Sequence, residues 1–452
     1  MKNEAKISRA NYLFSNKDLW VLIIPLFIEQ LLAIFVGLAD SVMVASVGET
    51  AVSAVSLIDT VMVLIMNVFT ALATGGAIVA GQALGRKNAE EGCEASEQTL
   101  LFSTIFSIVI MAIVYVGKWF ILHVVFGQIE PEVMRDCNTY LMIVNLSVPF
   151  LAVYNVGAAM YRAMGDSKTP MLMSLVMNLV NIAGNAFLLY GLKWGVEGAA
   201  VPTTVSRALA GVVMVYLVCD KKKVLHVRNL LGIRLNGKML KKILHLGIPY
   251  AMENSMFQLG KILVLSLVSG FGTASIAANA VANSVCAFAM VGGMSLGLAI
   301  SSVSAQCVGA GDYEQVRYYT RKLTVISYAS IILVNVIVIA ALPFIIDVYN
   351  LSAETGEIAR QIITYHGICA MLIWSPSFNL PNVLRSANDV GYCMWISIAS
   401  MWIFRIGFSF VIADFMGMGV LGVWIAMTID WLVRAILFVV RYRGKRWEMK
   451  VS

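Results

Sequence analysis

The first long apolar stretch of the chain, Leu19 to Ser46, contains only two charged side chains, Glu29 and Asp40. A helix needs about 20 mostly apolar residues to cross the hydrocarbon core, so this stretch predicts a tilted or protruding transmembrane helix. Lipid offers a carboxylate neither water nor counter-charge, so both acids must face protein or a water-filled cavity. Their spacing corresponds to about three helical turns, which puts them on nearly the same face. That face is predicted to line a cavity.

Eleven similar stretches follow the first. Only 13% of the 452 residues are charged, about half the share in soluble proteins. The apolar runs are continuous and lack two-residue alternation, so they predict helices rather than barrel strands. We therefore predict an all-α integral membrane protein with spans near 19–46, 52–83, 98–125, 137–161, 169–190, 194–219, 243–269, 275–307, 320–347, 360–386, 391–414 and 418–441.

The net charge of +7 follows from membrane topology. Of the 33 Lys and Arg residues, 25 fall in tails and connections on the side that holds the N-terminus, and four fall on the opposite side. This bias predicts cytoplasmic termini. It also accounts for the net positive charge, so no nucleic-acid partner is expected. We expect no cleavable signal segment, because the polar N-terminus leads into an apolar run that is too long for one. The seven scattered cysteines form no CxxC pair, so neither a disulfide frame nor a metal site is expected.

The two halves of the chain are related by an internal repeat, in which Ile24–Glu90 aligns without a gap with Ile248–Glu314. The matches are of types that rarely recur by chance in apolar helices, and include Pro25 with Pro249, Glu29 with Glu253, Gln82 with Gln306 and Gly85 with Gly309. Each half has six spans, so both halves insert with the same orientation. This predicts two six-helix bundles related by a pseudo-two-fold axis along the membrane normal. We expect an N-terminal lobe at 1–219, a basic cytoplasmic linker at 220–242 and a C-terminal lobe at 243–452.

The two halves differ in their intramembrane charges. The repeat partner of Asp40 is Val264 and that of Asp59 is Asn283. The first half keeps three acids, whereas the second has Glu253 and a lysine in the same helix. This asymmetry predicts a cation site in the N-terminal lobe.

Several motifs, in this order and spacing, resemble the multidrug and toxic compound extrusion (MATE) family. They include IPLFIEQLLAIFVGLADSVMVASVG (24–48), VAGQALGRKN (79–88) and YRAMGDSKTPM (161–171), and, in the second half, GIPYAMENSMFQLG (247–260), SAQCVGAGD (304–312) and VLRSAND (383–389). The resemblance covers both halves. It implies a pump that exports organic cations, drugs or toxic metabolites by alternating access, driven by inward flow of Na⁺ or H⁺. It implies no enzymatic activity and no cofactor besides the coupling ion.

We accordingly expect a monomeric, multi-pass protein of the bacterial inner membrane. A flippase or exporter of lipid-linked saccharides from the same superfamily is the alternative. Such a protein would need a more basic cavity to hold pyrophosphate, and intramembrane bases are few in this sequence.

The resemblance assigns Asp40 to the first-helix aspartate of the family's cation site. Asn181 and Asn185 match family positions in that site and, four residues apart, share one helix face. Some members have Asp where this chain has Asn185, which leaves the ion open. Hydrogen bonds between helices are the alternative role for Asn185. We expect Asp59 and Asn67 to join this cluster, and no metal beyond Na⁺ at Asp40.

The second predicted site is a substrate cavity around Glu253, a common glutamate of the family's seventh helix, and its repeat partner Glu29. Acids among methionine and aromatic residues suit bulky organic cations. Pairing of Glu253 with Lys261 or another base is the alternative. The other residues predicted for this cavity are Phe257, Gln258, Lys261, Asn283, Phe288 and Met290.

The remaining polar motifs predict structural roles. The glycines at the ends of the second and eighth spans permit close approach of backbones. Arg162 with Asp166, and Arg385 with Asp389, are predicted to cap helices or to connect neighbouring loops. Asp430 and Arg434 are predicted to form an ion pair, because i, i+4 residues share one helix face.

Overall fold

The computed structural model describes residues 12–127, 129–230, 232–444 and 446–448. Lys2, Lys6, Arg9, Lys445 and Lys450, counted above for topology, lie outside these ranges. The predicted all-helical class and its twelve segments are confirmed. The segments are α1 Asn16–Ala45, α2 Glu49–Gly85, α3 Ala89–Val125, α4 Pro131–Ala163, α5 Lys168–Gly191, α6 Glu197–Val218, α7 Gly237–Ser269, α8 273–309, α9 Tyr313–Ala340, α10 353–386, α11 Val390–Phe415 and α12 Gly419–Arg443.

Ten of the described helices are long and apolar enough to cross a membrane. The chain is a multi-pass membrane protein. We call α1–α6 the N-lobe and α7–α12 the C-lobe, and we call the end of the molecule at residues 219–236 the linker side.

Several helices extend beyond the predicted apolar runs on the linker side. α3 begins nine residues and α7 six residues before the predicted starts, because Asn88 and Asn236 cap their first turns. The cap oxygen of Asn88 accepts from the Glu91 N–H, and that of Asn236 accepts from the Lys238 N–H. A capped polar turn needs no lipid contact, so hydropathy alone cannot find it. In contrast, α9 ends seven residues early, and a separate short helix, Leu342–Val348, follows it.

The first half of α1 packs into the C-lobe. Leu19, Leu22 and Leu26 are buried in one apolar cluster with Ile300 and Val303 of α8. The second half of α1 packs against α5 of its own lobe. A single helix therefore contacts both lobes.

The first half of α7 packs in the corresponding way into the N-lobe. Ile243 and Leu246, the repeat partners of Leu19 and Leu22, are buried with Val79 of α2 and Val156 of α4. The duplication thus includes a reciprocal exchange, in which the first helix of each lobe begins in the core of the other. These contacts cross the predicted lobe boundaries.

The lobes meet most closely where α2 and α8 end on the linker side. A Cβ added to Gly85 would lie 1.9 Å from the carbonyl oxygen of Gln306. A Cβ added to Gly309 would lie 2.0 Å from the carbonyl oxygen of Gln82. Both distances are far inside van der Waals contact, so only glycine fits at either position. The predicted close approach of backbones is present at both glycines.

Two matching hydrogen bonds join the lobes beside these glycines. The side-chain N–H of Gln82 donates to the carbonyl of Ser386 at 2.8 Å, and that of Gln306 donates to the carbonyl of Ala163 at 2.6 Å. Gln82 and Gln306 are repeat partners, and their two acceptors occupy corresponding positions in the two halves. The linker side is therefore closed by two pseudo-symmetric bonds.

The linker is an ordered element held against α3. Both backbone and guanidinium of Arg228 donate to the Glu97 carboxylate at 2.8–3.1 Å. Hydrogen bonding to Glu97 raises the pKa of Arg228 above its ordinary value. Lys223 lies 3.3 Å from Asp166 in the loop after α4. Burial raises the pKa of Asp166, but hydrogen bonds from Thr169 and Lys223 outweigh it, so the pKa lies below its ordinary value.

Candidate functional site

Asp40 lies in a polar cluster inside the N-lobe. Its Oδ1 accepts from the amide of Asn185 at 2.8 Å. The amide of Asn181 lies between Asp40 and Thr203; with its nitrogen turned to Asp40 it donates to Oδ1 at 2.8 Å and to Oδ2 at 3.2 Å. Both asparagines are buried, and they come together because i, i+4 residues share one face of α5. The structure therefore brings Asp40, Asn181 and Asn185 into direct contact.

Asp59 and Arg207 bring further charge to this cluster, and Tyr140 brings a hydroxyl. Asp59 of α2 interacts electrostatically with Asp40 and with Arg207 of α6, and it lies near the hydroxyl of Tyr140 of α4. Arg207 also donates to the hydroxyl of Ser147 at 3.2 Å. The cluster thus contains two carboxylates, of Asp40 and Asp59, and the guanidinium of Arg207.

Arg207 was not assigned to this site from the sequence. The sequence did indicate that Arg207 has a buried partner, because an arginine within an apolar span needs one. The sequence did not indicate which of the acids it faces. Asn67 is half-buried about two turns along α2 from Asp59, and the hydrogen bonds described for Asp40 do not include it.

A cavity of about 470 Å³ lies between the two lobes. Glu29 and Glu253 both line it. The Glu29 carboxylate lies 2.5 Å from the guanidinium of Arg162, which extends from α4 of the same lobe. Glu29 therefore enters the cavity as half of an ion pair.

Glu253 is paired in the same way on the opposite wall. One guanidinium nitrogen of Arg385 donates to both carboxylate oxygens of Glu253 at 2.7 Å. Arg434 of α12 lies 3.7 Å from the same carboxylate. The pairs Glu29–Arg162 and Glu253–Arg385 are related by the repeat. Lys261 is not the partner of Glu253.

Three other predicted ties are corrected by the structure. Arg162 and Arg385 extend to the cavity acids, so neither ties the aspartate four residues after it. Asp389 instead accepts from Arg441 at 2.7 and 3.1 Å. Asp430 accepts from the hydroxyl of Ser400 at 2.6 Å, and the described ion pair of Arg434 is with Glu253. Spacing at i, i+4 permits an ion pair within one helix, but here each side chain contacts a partner on another helix instead.

The other residues predicted for the substrate cavity are spread more widely. Phe257 lines the cavity and Lys261 lies over its ring, with Nζ 5.0 Å from the centroid. Phe288 is partly exposed and meets the ring of Phe35 edge-on at 6.4 Å. The rest lie outside the described lining: Gln258 is half-buried, Asn283 is exposed and donates to the carbonyl of Asn279, and Met290 is buried where α8 is interrupted.

Arg405 is a second base whose environment the sequence did not indicate. It is 8% exposed within α11, and its guanidinium lies 5.0 Å from the Phe257 centroid, as the Lys261 ammonium does. Among the described residues, no hydrogen-bond partner reaches its Nε or Nη1. Two cations therefore flank one aromatic ring of the cavity.

The MatE family model matches the chain twice, at residues 25–187 and 249–411. The two matches begin at Pro25 and Pro249, which are partners in the internal repeat. Together they cover more than half of the chain.

The chain is similar along its length to curated transport proteins. It is 26% identical over 447 residues to the probable multidrug resistance protein YoeA of Bacillus subtilis, covering 96% of this chain and 94% of the relative. It is 23% identical over 438 residues to the probable multidrug resistance protein NorM of Thermotoga maritima, covering 96% and 93%.

A solved structure has the same fold. The outward-facing structure of a multidrug resistance MATE family transporter of the MOP superfamily superposes with a TM-score of 0.88 over 95% of each chain, at 19% identity. With the two family matches and the paired six-helix bundles, this likeness leads to one conclusion: the chain belongs to the MATE family of multidrug efflux transporters.

Proposed function

We propose that the protein is an antiporter that exports drugs or toxic metabolites in exchange for protons that bind at Asp40. The observation that carries the proposal is the hydrogen bond between Asp40 of α1 and Asn185 of α5. Asp40 lies in the half of α1 that packs on the N-lobe, whereas Leu19, Leu22 and Leu26 lie in the C-lobe core. A change of charge at Asp40 therefore acts on a helix that contacts both lobes.

We propose a proton rather than Na⁺ as the coupling ion because the two ions differ in the ligands that they need. Hard cations are bound by oxygen ligands. Here the amide nitrogens of Asn185 and Asn181 can both donate to the carboxylate, and Arg207 adds positive charge nearby. Protonation of Asp40 works against these donors, which stabilise the charged carboxylate, but unlike Na⁺ binding it needs no further oxygen ligand. Na⁺ is the alternative ion.

The proposed cycle has two states. With the linker side closed, the protein faces outward, and a proton enters at Asp40 from outside. Loss of the Asp40 charge weakens its bonds to α5, α1 shifts, and the two bonds made by Gln82 and Gln306 open towards the cytoplasm. Coupling requires that proton and substrate disfavour each other's binding. The cytoplasmic linker and termini, the monomeric state and the lobe boundaries at 219 and 243 are parts of the same proposal.

The test is dye export by purified protein in liposomes under an imposed pH gradient or an imposed Na⁺ gradient. Both a cationic and an anionic dye are offered, so that substrate charge does not limit the result. We expect the pH gradient to drive export and Asp40→Asn to abolish it. The matched control is Asp347→Asn, which removes an acid of the short helix Leu342–Val348, away from the Asp40 cluster.

Each alternative gives a different result. Export driven by Na⁺ alone refutes the proton and retains the antiport. Export by Asp40→Asn at the wild-type rate removes Asp40 from coupling. Export without either gradient contradicts antiport itself.

A further inference from the structure

The C-lobe wall of the central cavity carries an excess of positive charge. The charged residues that line the cavity are Glu29, Glu253, Arg162, Arg385 and Arg434. Glu29 pairs with Arg162 and Glu253 pairs with Arg385, each at 2.5–2.7 Å. Arg434 is the third base, at a longer 3.7 Å from a carboxylate already held by Arg385. The lining is therefore positive, which does not favour a cationic substrate.

Two more cations lie beside this wall, in contact with a lining side chain but not themselves among the described lining residues. Lys261 and Arg405 both stand 5.0 Å from the ring centroid of Phe257, which lines the cavity. Asp430 is the acid that interacts with Arg405, but no ion pair within 4 Å joins them among the described residues, and Asp430 is hydrogen-bonded to Ser400. The wall has more bases than acids even when Asp430 is counted.

Arg405 offers hydrogen-bond donors that no described residue takes up. Two of its nitrogens are buried without a described hydrogen-bond partner, as is Nε of Arg434. A buried guanidinium without partners is strongly unfavourable, because it loses hydration and gains no counter-charge. An acidic group that enters the cavity can supply both charge and acceptors.

We propose that the basic cluster of Lys261, Arg405 and Arg434 binds the acidic group of an aromatic organic acid, and that such acids are substrates of this transporter. This inference rests on the proposed export function and assigns its substrate class. Guanidinium groups match the planar geometry of a carboxylate, and the lysine adds a flexible charge at the same ring.

The cavity also presents the surface that an aromatic substrate needs. Trp374 and Phe378 both line it and stack on each other with centroids 4.9 Å apart. Tyr250 and Phe257 line the C-lobe wall as well. Aromatic surfaces of this kind bind planar rings through offset or edge-on contacts. Export of an anion is also favoured by an inside-negative membrane potential.

The test compares two dyes with the same tricyclic xanthene core and opposite charge. Fluorescein is an anion with a carboxylate at neutral pH, and tetramethylrosamine is a cation without an acid. Binding to the purified full-length protein is measured by fluorescence anisotropy at constant pH, so the result does not depend on coupling. We expect fluorescein to bind about tenfold more tightly or better, the effect of one favourable charged contact.

Variants of the cluster are expected to separate binding from stability. Arg405→Met should weaken fluorescein binding by about tenfold and raise the thermal unfolding temperature, because it removes an unpaired buried charge. Lys261→Gln should weaken fluorescein binding with little effect on unfolding. The matched control is Lys322→Gln, since Lys322 also lies over an aromatic ring, that of Tyr318, outside the described cavity lining.

Three results would overturn the proposal. These are tighter binding of tetramethylrosamine, fluorescein binding unchanged in both cluster variants, and no fluorescein binding at all. In the third case, binding of farnesyl pyrophosphate would favour the flippase of lipid-linked saccharides. Failure of gradient-driven export with intact fluorescein binding contradicts the antiport proposal alone.

Discussion

At the scale of single residues, the bases that pair with the cavity acids determine how much negative charge those acids present to the cavity. Glu253 has the position and surroundings that favour a cation-attracting carboxylate. In the folded chain it is held by Arg385, which belongs to a distant part of the sequence. Its carboxylate charge is thereby neutralised within the wall, and the bases beside it set the sign of the site.

Glu253→Gln is expected to lower the stability of the protein. The change leaves Arg385 and Arg434 buried without a counter-charge, which costs on the order of 3–5 kcal/mol. Thermal unfolding in detergent, followed by tryptophan fluorescence, should show a lower midpoint. Glu253→Gln combined with Arg385→Gln should recover part of the loss, because the buried charge is then removed from both partners.

The matched control for this prediction is Glu357→Gln. Glu357 pairs with Arg360 one turn along the same helix, but both side chains are half exposed or more. Solvent replaces such a contact, so the unfolding midpoint should not change. A cavity variant as stable as this control would mean that the pair at Glu253 contributes nothing.

At the scale of helices, the closed linker side depends on two glycines. The ends of α2 and α8 cross where Gly85 and Gly309 permit backbone contact, and neither position has room for a methyl group. The side-chain bonds of Gln82 and Gln306 form only at this distance. A methyl group at either crossing should therefore open both bonds together.

Gly85→Ala and Gly309→Ala are expected to shift the protein away from the closed state. Hydrogen exchange should rise in the peptides around residues 82–88 and 306–312, and to a similar degree for the two variants, because the crossing is pseudo-symmetric. Gly117→Ala is the control, since a Cβ at Gly117 of α3 meets nothing within 4 Å. Exchange that rises equally in the control, or in neither glycine variant, contradicts this role.

At the scale of the whole molecule, alternating access requires that the linker side open in each cycle. Gly81 of α2 faces Ala305 of α8 across the lobe boundary, and an added Cβ at Gly81 would lie 3.0 Å from that of Ala305. Disulfides need Cβ atoms about 3.8 Å apart, which a small shift of the helices provides. A disulfide between positions 81 and 305 should therefore hold the linker side closed.

Gly81→Cys combined with Ala305→Cys should form a disulfide that stops dye export, and a reductant should restore export. Each single cysteine variant serves as the control, because neither can form the bond. Export that continues at the full rate with the disulfide formed would contradict the proposed opening of the linker side.

The architecture of the protein could be predicted from its amino-acid sequence. Twelve apolar runs specify twelve helices because hydrophobic length is a local property, and the internal repeat specifies two equivalent bundles. The sequence also brought Asn181 and Asn185 to one helix face, because i, i+4 geometry is local. The family matches and the confirmed fold agree with these expectations.

The pairing of the buried charges, in contrast, depends on how the helices pack. Three features involve helices far apart in the chain: the partners of Glu29 and Glu253, the nearness of Arg207 to Asp59, and the lack of a described hydrogen-bond partner at Nε and Nη1 of Arg405. They depend on the rotation and depth at which the helices pack. Close contacts such as the crossing at Gly85 determine that rotation and depth. The exchange of the first halves of α1 and α7 between lobes has the same origin, because their apolar faces fit either core by composition and only packing selects one.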